Sequence, residues 1–419
     1  QDYYMDYDRQ ESRFPLPKKV KKGKAIDIGS DVMLDQERCV LCGRCTRFFD
    51  EVTKTSELAF FERGDHNRID IFPGRKVDNN YAGNVIDICP VGALTEKDFR
   101  FRMRVWYLHR TPSVCAGCER GCSIDIYENH GKIFRYKPRH NPLVNGYWMC
   151  DEGRHSFKRM QTETRITSPL YQSGDRMMPE GFASAIRRAA DAIRHCGETH
   201  GGGSIGALVD AHATNEEIFA LKSFIKDVIG SDQIGGMSYT PPGLSGDDDL
   251  LLRANKNPNT AGLVALGVGL DGLDALAPAV ASGQIKTLIA LRADACRALG
   301  EAEFVKRFGA LDYLILLDTD ASETAQMANQ VIPIAAYPEL DGTFTNFQGV
   351  VQRLHRAFDP PGEAKSAIEV LTDLGMVLDG VERPQTAQRI FAEIAGREAP
   401  FAGLDFDQLG HNGAKLANS

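Results

Sequence analysis

Residues 34–48 read LDQERCVLCGRCTRF and carry cysteines at positions 39, 42 and 45. Cys89 follows in the stretch DICPVGAL (87–94), so the first set has the spacing C-x2-C-x2-C with a distant C-P step. A second set repeats this arrangement of three close cysteines and one remote cysteine, at Cys115, Cys118, Cys122 and Cys150. Eight of the ten cysteines in the 419 residues therefore belong to two sets of four.

Three kinds of chemistry use cysteines in such patterns. Disulfides are disfavoured, because cysteines three apart rarely pair and a chain of this length can bury its own cores. Four thiolates can close a tetrahedral structural zinc site, but zinc proteins usually supply their cysteines as two separate C-x2-C pairs. Three thiolates in a short loop plus one remote cysteine are typical of a 4Fe-4S cluster. We therefore expect one 4Fe-4S cluster on Cys39, Cys42, Cys45 and Cys89 and a second on Cys115, Cys118, Cys122 and Cys150, with no catalytic side chain.

The composition is that of a large globular protein. Hydrophobic residues make up 42 % of the chain and charged residues 25 %, which at this length allows two or three domains. The net charge of −8 disfavours nucleic acid and anionic lipid as partners. The basic run KKVKKGK (18–24) is expected to be a solvated connecting loop, with docking onto an acidic partner as the alternative. The most apolar segments have the length of strands, so no membrane span is expected.

The chain divides into four predicted segments. Residues 1–103 are a linker and the first 4Fe-4S module, and residues 104–165 are a smaller module with the second cluster. Residues 166–364 alternate helical and apolar strand-like stretches, which predicts a parallel, doubly wound α/β sheet. Residues 365–419 are predicted to be a helical tail. The predicted fold class is thus α+β iron–sulfur modules followed by an α/β doubly wound domain.

Local patterns predict individual elements. Residues 122–138 alternate apolar and polar side chains around Asn129–Gly131, which predicts a β-hairpin. FRMRVWYL (101–108) is expected to be strand-like. Within the α/β segment, strands are expected at SIGALVD (204–210), AGLVALG (261–267), KTLIALR (286–292), DYLILLD (312–318) and VIPIAA (331–336), with helices between them.

Residues 267–272, GVGLDG, match the dinucleotide-binding pattern G-x-G-x-x-G. They follow a predicted strand, open a predicted helix, and have Asp294 near the end of the next strand, as that pattern requires. Asp271, however, would place a carboxylate where a pyrophosphate should approach. A nucleotide site at this motif is therefore the weaker of two interpretations.

The two cysteine sets and the α/β segment together resemble the large iron–sulfur subunit of respiratory complex I, the G-subunit family of NADH–quinone oxidoreductase, over nearly the whole chain. The resemblance is carried by residues 34–48 and 87–94, by VNGYWMCDEGR (144–154) with the second cysteine set, and by PELDGTFTNFQGVVQR (338–353). It implies a ferredoxin-like first module and an α/β domain resembling molybdopterin oxidoreductases. The opening QDYY resembles the residues that follow a His/Cys-ligated cluster, so a 2Fe-2S cluster and a further 4Fe-4S cluster are expected before Gln1.

The resemblance also implies a function. The chain would relay electrons from the flavin subunit towards quinone within NADH:quinone oxidoreductase, a translocase, with the first cluster on the main path and the second off it. Its partners would be the flavin- and NADH-binding subunit and the quinone-side iron–sulfur subunits, at the cytoplasmic face of the bacterial inner membrane. No molybdopterin is expected, because residues 209–243 contain no cysteine, and Glu152 stands where related molybdenum enzymes often have a lysine.

Two other functions are compatible with these residues. A catalytic or electron-transfer subunit of a molybdopterin formate dehydrogenase-like enzyme would use the same order of modules. A zinc-stabilised interaction protein would use the same thiolates without a redox role.

Overall fold

The computed structural model describes residues 2–9 and 20–417. The chain forms two compact units, Gln1–Met103 and Arg104–Ser419, which we call the N-terminal unit and the C-terminal unit. Lys18 and Lys19 of the expected solvated loop lie outside the described residues. The finer boundaries after residues 165 and 364 stay predictions.

Short helices and strands occur in both units. The helices are α1 Asp2–Tyr7, α2 Arg44–Arg47, α3 Asn84–Ile88, α4 Asp151–Arg154, α5 Phe182–His200, α6 Asn215–Ser223, α7 Thr260–Ala265, α8 Gly272–Ala281, α9 Ala295–Leu299, α10 Glu301–Phe308, α11 Glu323–Met327, α12 Ala367–Asp379 and α13 Ala387–Arg397. The strands are β1 Ile26–Asp27, β2 Val32–Leu34, β3 Ala59–Phe61, β4 Arg68–Asp70, β5 Leu94–Glu96, β6 His109–Val114, β7 Ser123–Asn129, β8 Lys132–Pro138, β9 Leu170–Ser173, β10 Arg176–Pro179, β11 Ile205–Asp210, β12 Ile234–Met237, β13 Thr287–Leu291, β14 Tyr313–Asp318, β15 Gln330–Pro333, β16 Gly342–Thr345, β17 Val350–Leu354 and β18 Ala414–Lys415. None of the helices in the described ranges combines the length and the apolar character that crossing a membrane requires.

In the N-terminal unit, β2 pairs with β1 and β5 in a three-stranded antiparallel sheet, and β3 and β4 form a separate hairpin. Phe49, Val77 and Val85 are fully buried in its core. The backbone N–H of Asp35, just after β2, donates to the carbonyl of Ala93, just before β5, at 2.7 Å. This pairing places the loop that carries the first three cysteines beside the chain that follows Cys89.

The C-terminal unit begins with an antiparallel sheet of β6, β7 and β8. The hairpin predicted at residues 122–138 is confirmed as β7 and β8. His130 (φ 51°) and Gly131 (φ 74°) are both left-handed, as a two-residue turn of type I′ requires. The strand-like prediction for residues 101–108 is wrong, because Val105–Tyr107 form a 3-10 turn. The alternation of Phe101, Met103 and Val105 with two arginines has the period of a half-buried strand. However, Phe101 is 85 % exposed and Val105 is 46 % exposed, so this face of the segment is not packed against a core.

The main sheet of the C-terminal unit has seven strands in the order β10-β9-β15-β14-β13-β11-β12. The five strands from β15 to β12 are parallel, and β9 and β10 add an antiparallel edge. Alternate residues of each strand face different cores, for example Val209 and Leu317 on one side and Leu208 and Leu316 on the other. Helices α5, α6, α12 and α13 cover the first side and α8 to α11 the second. The doubly wound prediction is therefore confirmed.

One predicted strand of this sheet is wrong, and three of its strands, β9, β10 and β12, have no sequence prediction. Residues 261–267 fall on helix α7, since a short apolar run does not by itself distinguish a strand from a buried helix. The corresponding parallel strand is β12, whose Gly235 and Gly236 give little strand signal. A Cβ on Gly235 would lie 2.4 Å from the Cα of Gly272, so these glycines let α8 pack directly on the strand.

The segment after residue 364 shares the core of the main sheet. Ile368 and Leu371 of α12 and Ile394 of α13 lie in the same apolar cluster as β11 and β13. The chain then returns to pair β18 with β17, which is itself paired with β16. This segment thus contains a short strand besides its helices.

Glu216 of α6 predicts a pH-dependent stability. Its carboxylate is fully buried and accepts hydrogen bonds from the backbone N–H of Thr343 at 2.8 Å and from the Thr343 hydroxyl at 2.7 Å. Burial raises the pKa of Glu216 from 4.5 to about 7. Because the folded state then binds this proton more tightly than the unfolded state, the contribution of Glu216 falls as pH rises, by about 3 kcal/mol between pH 4 and pH 8.

We expect Glu216→Gln to gain thermal stability relative to the unmodified chain as pH rises from 5 to 8, in melting curves followed by circular dichroism. The matched control is Glu303→Gln, because a hydrogen bond from Arg307 lowers the pKa of this exposed carboxyl, so it is ionised throughout this range. A stability difference for Glu216→Gln that is the same at both pH values would contradict the prediction.

Candidate metal centres

The first cysteine set surrounds the end of β2 in the N-terminal unit. Cys39 and Cys42 lie on the loop that leaves this strand, Cys45 lies on α2, and Cys89 is the C-cap of α3. The loop turns through two left-handed residues, Leu41 (φ 55°) and Gly43 (φ 70°). The residue before a proline favours an extended conformation, so α3 ends at Cys89 (ψ 117°), just before Pro90.

All four cysteines of this set line one small cavity, together with apolar side chains that include Leu34, Ile69 and Leu94. Cys45 is buried, Cys39 and Cys89 are half-buried, and Cys42 is exposed. Burial, together with the neighbouring Cys39 and Cys42, raises the pKa of the Cys45 thiol to about 11. Four thiols around one apolar space fit a 4Fe-4S cluster, whose irons supply the positive charge that buried thiolates need.

The second cysteine set begins on the loop between β6 and β7 in the C-terminal unit. The backbone N–H of Cys115 donates to the carbonyl of Cys122 at 2.8 Å, which closes the loop with Cys118 inside it. Gly121 (φ 62°) provides a left-handed turn just before Cys122. The three cysteines are only 4 to 6 % exposed, so this set is more deeply buried than the first.

The side chain of Asn145 holds the chain before Cys150 against the strand that follows Cys122. The side-chain oxygen of Asn145 accepts the Ser123 N–H at 3.0 Å, and its amide nitrogen donates to the Trp148 carbonyl at 3.0 Å. Cys150 caps α4, and its Sγ accepts the Gly153 N–H at 3.2 Å. A Cβ on Gly153 would lie 3.0 Å from Cys115 Sγ and 3.3 Å from Cys150 Sγ. The sulfurs of Cys115, on the first loop, and of Cys150 therefore lie next to Gly153. A side chain at this position would fill the space beside them.

Burial raises the pKa of every thiol in the second set, that of Cys115 to about 12 and those of Cys122 and Cys150 well above the ordinary value. Cys115 and Cys118 raise the pKa of the Cys122 and Cys150 thiols further, which places these groups within electrostatic reach of one another. Four mutually repelling thiolates in a buried site require positive charge among them. The residues therefore fit a second iron–sulfur cluster.

The other cysteines lie apart from these sets. Cys196 lies in the apolar core on one side of the main sheet, with its Sγ 3.2 Å from the Ser204 hydroxyl, and Cys296 lies in the core on the other side. Within residues 2–9 and 20–417, no three or more His, Cys, Asp or Glu side chains are arranged to hold a single metal ion.

A later segment, residues 245–257, covers the second cysteine set, and no sequence pattern pointed to it. The Glu119 N–H donates to the Asn255 carbonyl at 3.0 Å, and Arg120 Nη2 donates to the Leu250 carbonyl at 2.9 Å. Lys256 is 3 % exposed, and its Nζ lies 2.9 Å from Glu152 Oε1. A single lysine far along the chain from the cysteines carries no local signal that could have identified it.

A cavity of about 280 Å³ lies at the carboxyl edge of the main sheet and is also lined by Gly117 of the second cysteine loop. It lies near the ends of β11 and β13, where the strand order reverses and where doubly wound sheets bind ligands. Two of its polar groups are engaged within the protein: His212 Nδ1 lies 2.7 Å from Asp210, and the Arg292 guanidinium donates to Glu217 at 2.6 Å. None of the described cysteines lines this cavity.

The dinucleotide pattern at residues 267–272 follows helix α7 instead of a strand. A Cβ on Gly272 would lie 2.6 Å from the carbonyl carbon of Gly235. Asp294 caps α9, and its carboxylate accepts the Thr324 N–H at 3.0 Å. The glycine of this pattern therefore permits backbone packing, and the interpretation as a nucleotide site loses its structural basis.

Comparison with known families gives three matches. The ferredoxin-like domain of NADH-quinone oxidoreductase subunit 3 matches residues 29–95, which contain the first cysteine set. The Fe4S4 domain of molybdopterin oxidoreductases matches residues 108–162, which contain the second set. The molybdopterin oxidoreductase family itself matches residues 252–377.

Curated relatives carry the same name as the family inferred from sequence. The G subunit of the NADH-quinone oxidoreductase of Streptomyces coelicolor is 34 % identical over 235 residues, which cover 56 % of this chain and 27 % of that protein. The resemblance to the G-subunit family is confirmed over about half of this chain. Subunit 3 of the NADH-quinone oxidoreductase of Thermus thermophilus is 35 % identical over 186 residues, covering 44 % of this chain and 23 % of that protein. The matched part thus spans about a quarter of the length of these two relatives.

A solved structure supports the fold class. Acetylene hydratase from Pelobacter acetylenicus superposes with a TM-score of 0.55 at 13 % identity, covering 73 % of this chain and 74 % of that one. Together with the family matches, this confirms iron–sulfur modules followed by an α/β domain of the molybdopterin oxidoreductase type.

Gly153→Ala is expected to weaken iron binding at the second set about tenfold, as is usual when a residue supporting metal ligands is changed. The new methyl group would lie against two sulfurs, although alanine itself favours the helix. Iron per chain after anaerobic reconstitution at limiting iron measures this. The control is Gly203→Ala, where no atom lies within 4 Å of the new Cβ. Equal iron retention in the two variants would contradict the prediction.

Proposed function

We propose that this chain is an iron–sulfur electron-transfer subunit of NADH:quinone oxidoreductase, respiratory complex I. The observation that carries the proposal is the convergence of two separate sets of four cysteines, one set in each unit. Cys39, Cys42, Cys45 and Cys89 would hold one 4Fe-4S cluster, and Cys115, Cys118, Cys122 and Cys150 the other. When bound, such a cluster takes up and passes on one electron at a time.

The surroundings of the two sets suit different roles. Cys42 is exposed and Val40 beside it is 60 % exposed, so electrons can reach the first set through the surface of the N-terminal unit. The second set is buried on all four cysteines and is covered by residues 245–257. We therefore place the first cluster on the main electron path and the second off it, with a largely structural role.

The partners follow from the proposed enzyme. The flavin- and NADH-binding subunit would supply electrons, and quinone-side iron–sulfur subunits would accept them, at the cytoplasmic face of the bacterial inner membrane. The names of the relatives support other subunits of NADH-quinone oxidoreductase as partners. In this proposal the chain has no substrate site of its own.

We further propose that the cavity at the carboxyl edge holds no molybdopterin. No described cysteine lines it to ligate molybdenum. Arg292, a buried cation that a cofactor phosphate could use, is engaged by Glu217 and by the carbonyl of Ala335 at 2.7 Å.

The test is the metal content and low-temperature EPR of the reduced, anaerobically purified chain. We expect about eight irons and about eight sulfides per chain, with signals from two cubane clusters. A colourless protein with two zinc ions would overturn the proposal in favour of an interaction protein. Molybdenum near one per chain would overturn it in favour of a formate dehydrogenase-like enzyme.

A further inference from the structure

We infer that Lys256 and Glu152 form a buried charge pair that sets the reduction potential of the second cluster. The inference rests on the proposed function, because it requires a cluster on the second cysteine set. Neither residue is a cluster ligand, so both act through the electric field that they impose on the site.

The pair is fixed in position from both sides. The side chain of Lys256 is 2 % exposed and that of Glu152 17 % exposed, and they meet at 2.9 Å. The second carboxylate oxygen of Glu152 accepts the Ser245 N–H at 3.2 Å. The backbone N–H of Lys256 donates to the Thr240 hydroxyl at 3.1 Å. These contacts hold the two side chains in one arrangement.

The pair also lies against the cysteine ligands. Glu152 follows Cys150 by two residues on α4, and Asn255, next to Lys256, is hydrogen-bonded to Glu119, next to Cys118. Lys256 also lines the same cavity as Gly117, which lies directly before Cys118 on the cysteine loop.

The two charges have opposite effects on reduction. Adding an electron makes the cluster more negative, so a nearby cation favours the reduced state and a nearby carboxylate opposes it. These effects are strong where water is excluded, as at Lys256, and are screened where it is not. Arg253, for comparison, is 29 % exposed and pairs with Glu119 and Asp247. The removal of Lys256 should therefore shift the potential more than the removal of Arg253.

The experiment is an anaerobic redox titration of the full chain followed by EPR, with the first cluster as an internal reference. Signals are assigned with Cys115→Ala, which removes a ligand of the second cluster. Lys256→Met should shift the reduction equilibrium of the second cluster at least tenfold towards the oxidised state, which is 59 mV for one electron. Glu152→Gln should shift it in the opposite direction, and the double variant should lie between the two.

Lys222→Met is the matched control, because Lys222 of α6 forms a similar pair with Glu398 at 2.7 Å in the same unit. It should leave both potentials unchanged. The inference is overturned if Lys256→Met and Glu152→Gln both leave the second cluster at its original potential, or shift it in the same direction. If Lys256→Met does not retain the second cluster, the reduction potentials of Glu152→Gln and of the double variant test the inference instead. If the reduced, unmodified chain shows no EPR signals of cubane clusters, the proposed function itself is overturned.

Discussion

Replacing Cys150 with alanine is expected to remove the second cluster and to leave the first cluster in place. The four sulfurs of this set are buried together, so in Cys150→Ala the fourth iron would have no thiolate to hold it in this site. The iron content should therefore fall from about eight to about four per chain. Iron and sulfide analysis together with EPR of the reduced Cys150→Ala chain measures this loss.

Cys296→Ala is the matched control for this experiment. Cys296 is 2 % exposed and lies in the apolar core between the main sheet and its helices, so its loss leaves a small cavity at a cost of about 1 kcal/mol. It should retain all of its iron. If both variants lose iron equally, the loss reports general destabilisation, and if Cys150→Ala keeps a full complement, Cys150 is not a ligand.

The cysteine sets could be predicted from sequence because ligand spacing within a loop is a local property. Cys115, Cys118 and Cys122 lie on one loop between two strands, and the sequence shows their spacing directly. The remote member, Cys150, is predicted by completing the set, and the structure explains its position through the hydrogen bonds of Asn145. Lys256 could not be predicted, since only the folded chain brings it beside Glu152.

The fold shows the same division between local and non-local information. β13 and β14 are continuous apolar runs with charged ends, and the hairpin turn at His130–Gly131 is encoded by residues that accept left-handed backbone. β12 could not be predicted, because its glycines have no side chains to show a pattern. The structure shows why they are glycines, since α8 packs directly against their backbone.

Gly272→Ala is therefore expected to destabilise the C-terminal unit by about 3 kcal/mol, at the upper end of the usual cost of overpacking. Its Cβ would lie 2.6 Å from the carbonyl carbon of Gly235 and 2.7 Å from the nitrogen and the oxygen of Gly236. These are backbone atoms of a strand, so they cannot move aside as the end of a flexible side chain would. Thermal unfolding followed by circular dichroism measures the effect.

Intrinsic helix propensity alone predicts that Gly272→Ala stabilises the protein, because alanine is a better helix former than glycine. Gly396→Ala separates the two effects, since Gly396 lies within α13 and no atom approaches its added Cβ within 4 Å. That variant should gain about 0.5 kcal/mol of stability. If Gly272→Ala behaved like Gly396→Ala, close packing against β12 would not explain the glycine at this position. The G-x-G-x-x-G pattern would then again require a ligand as its explanation.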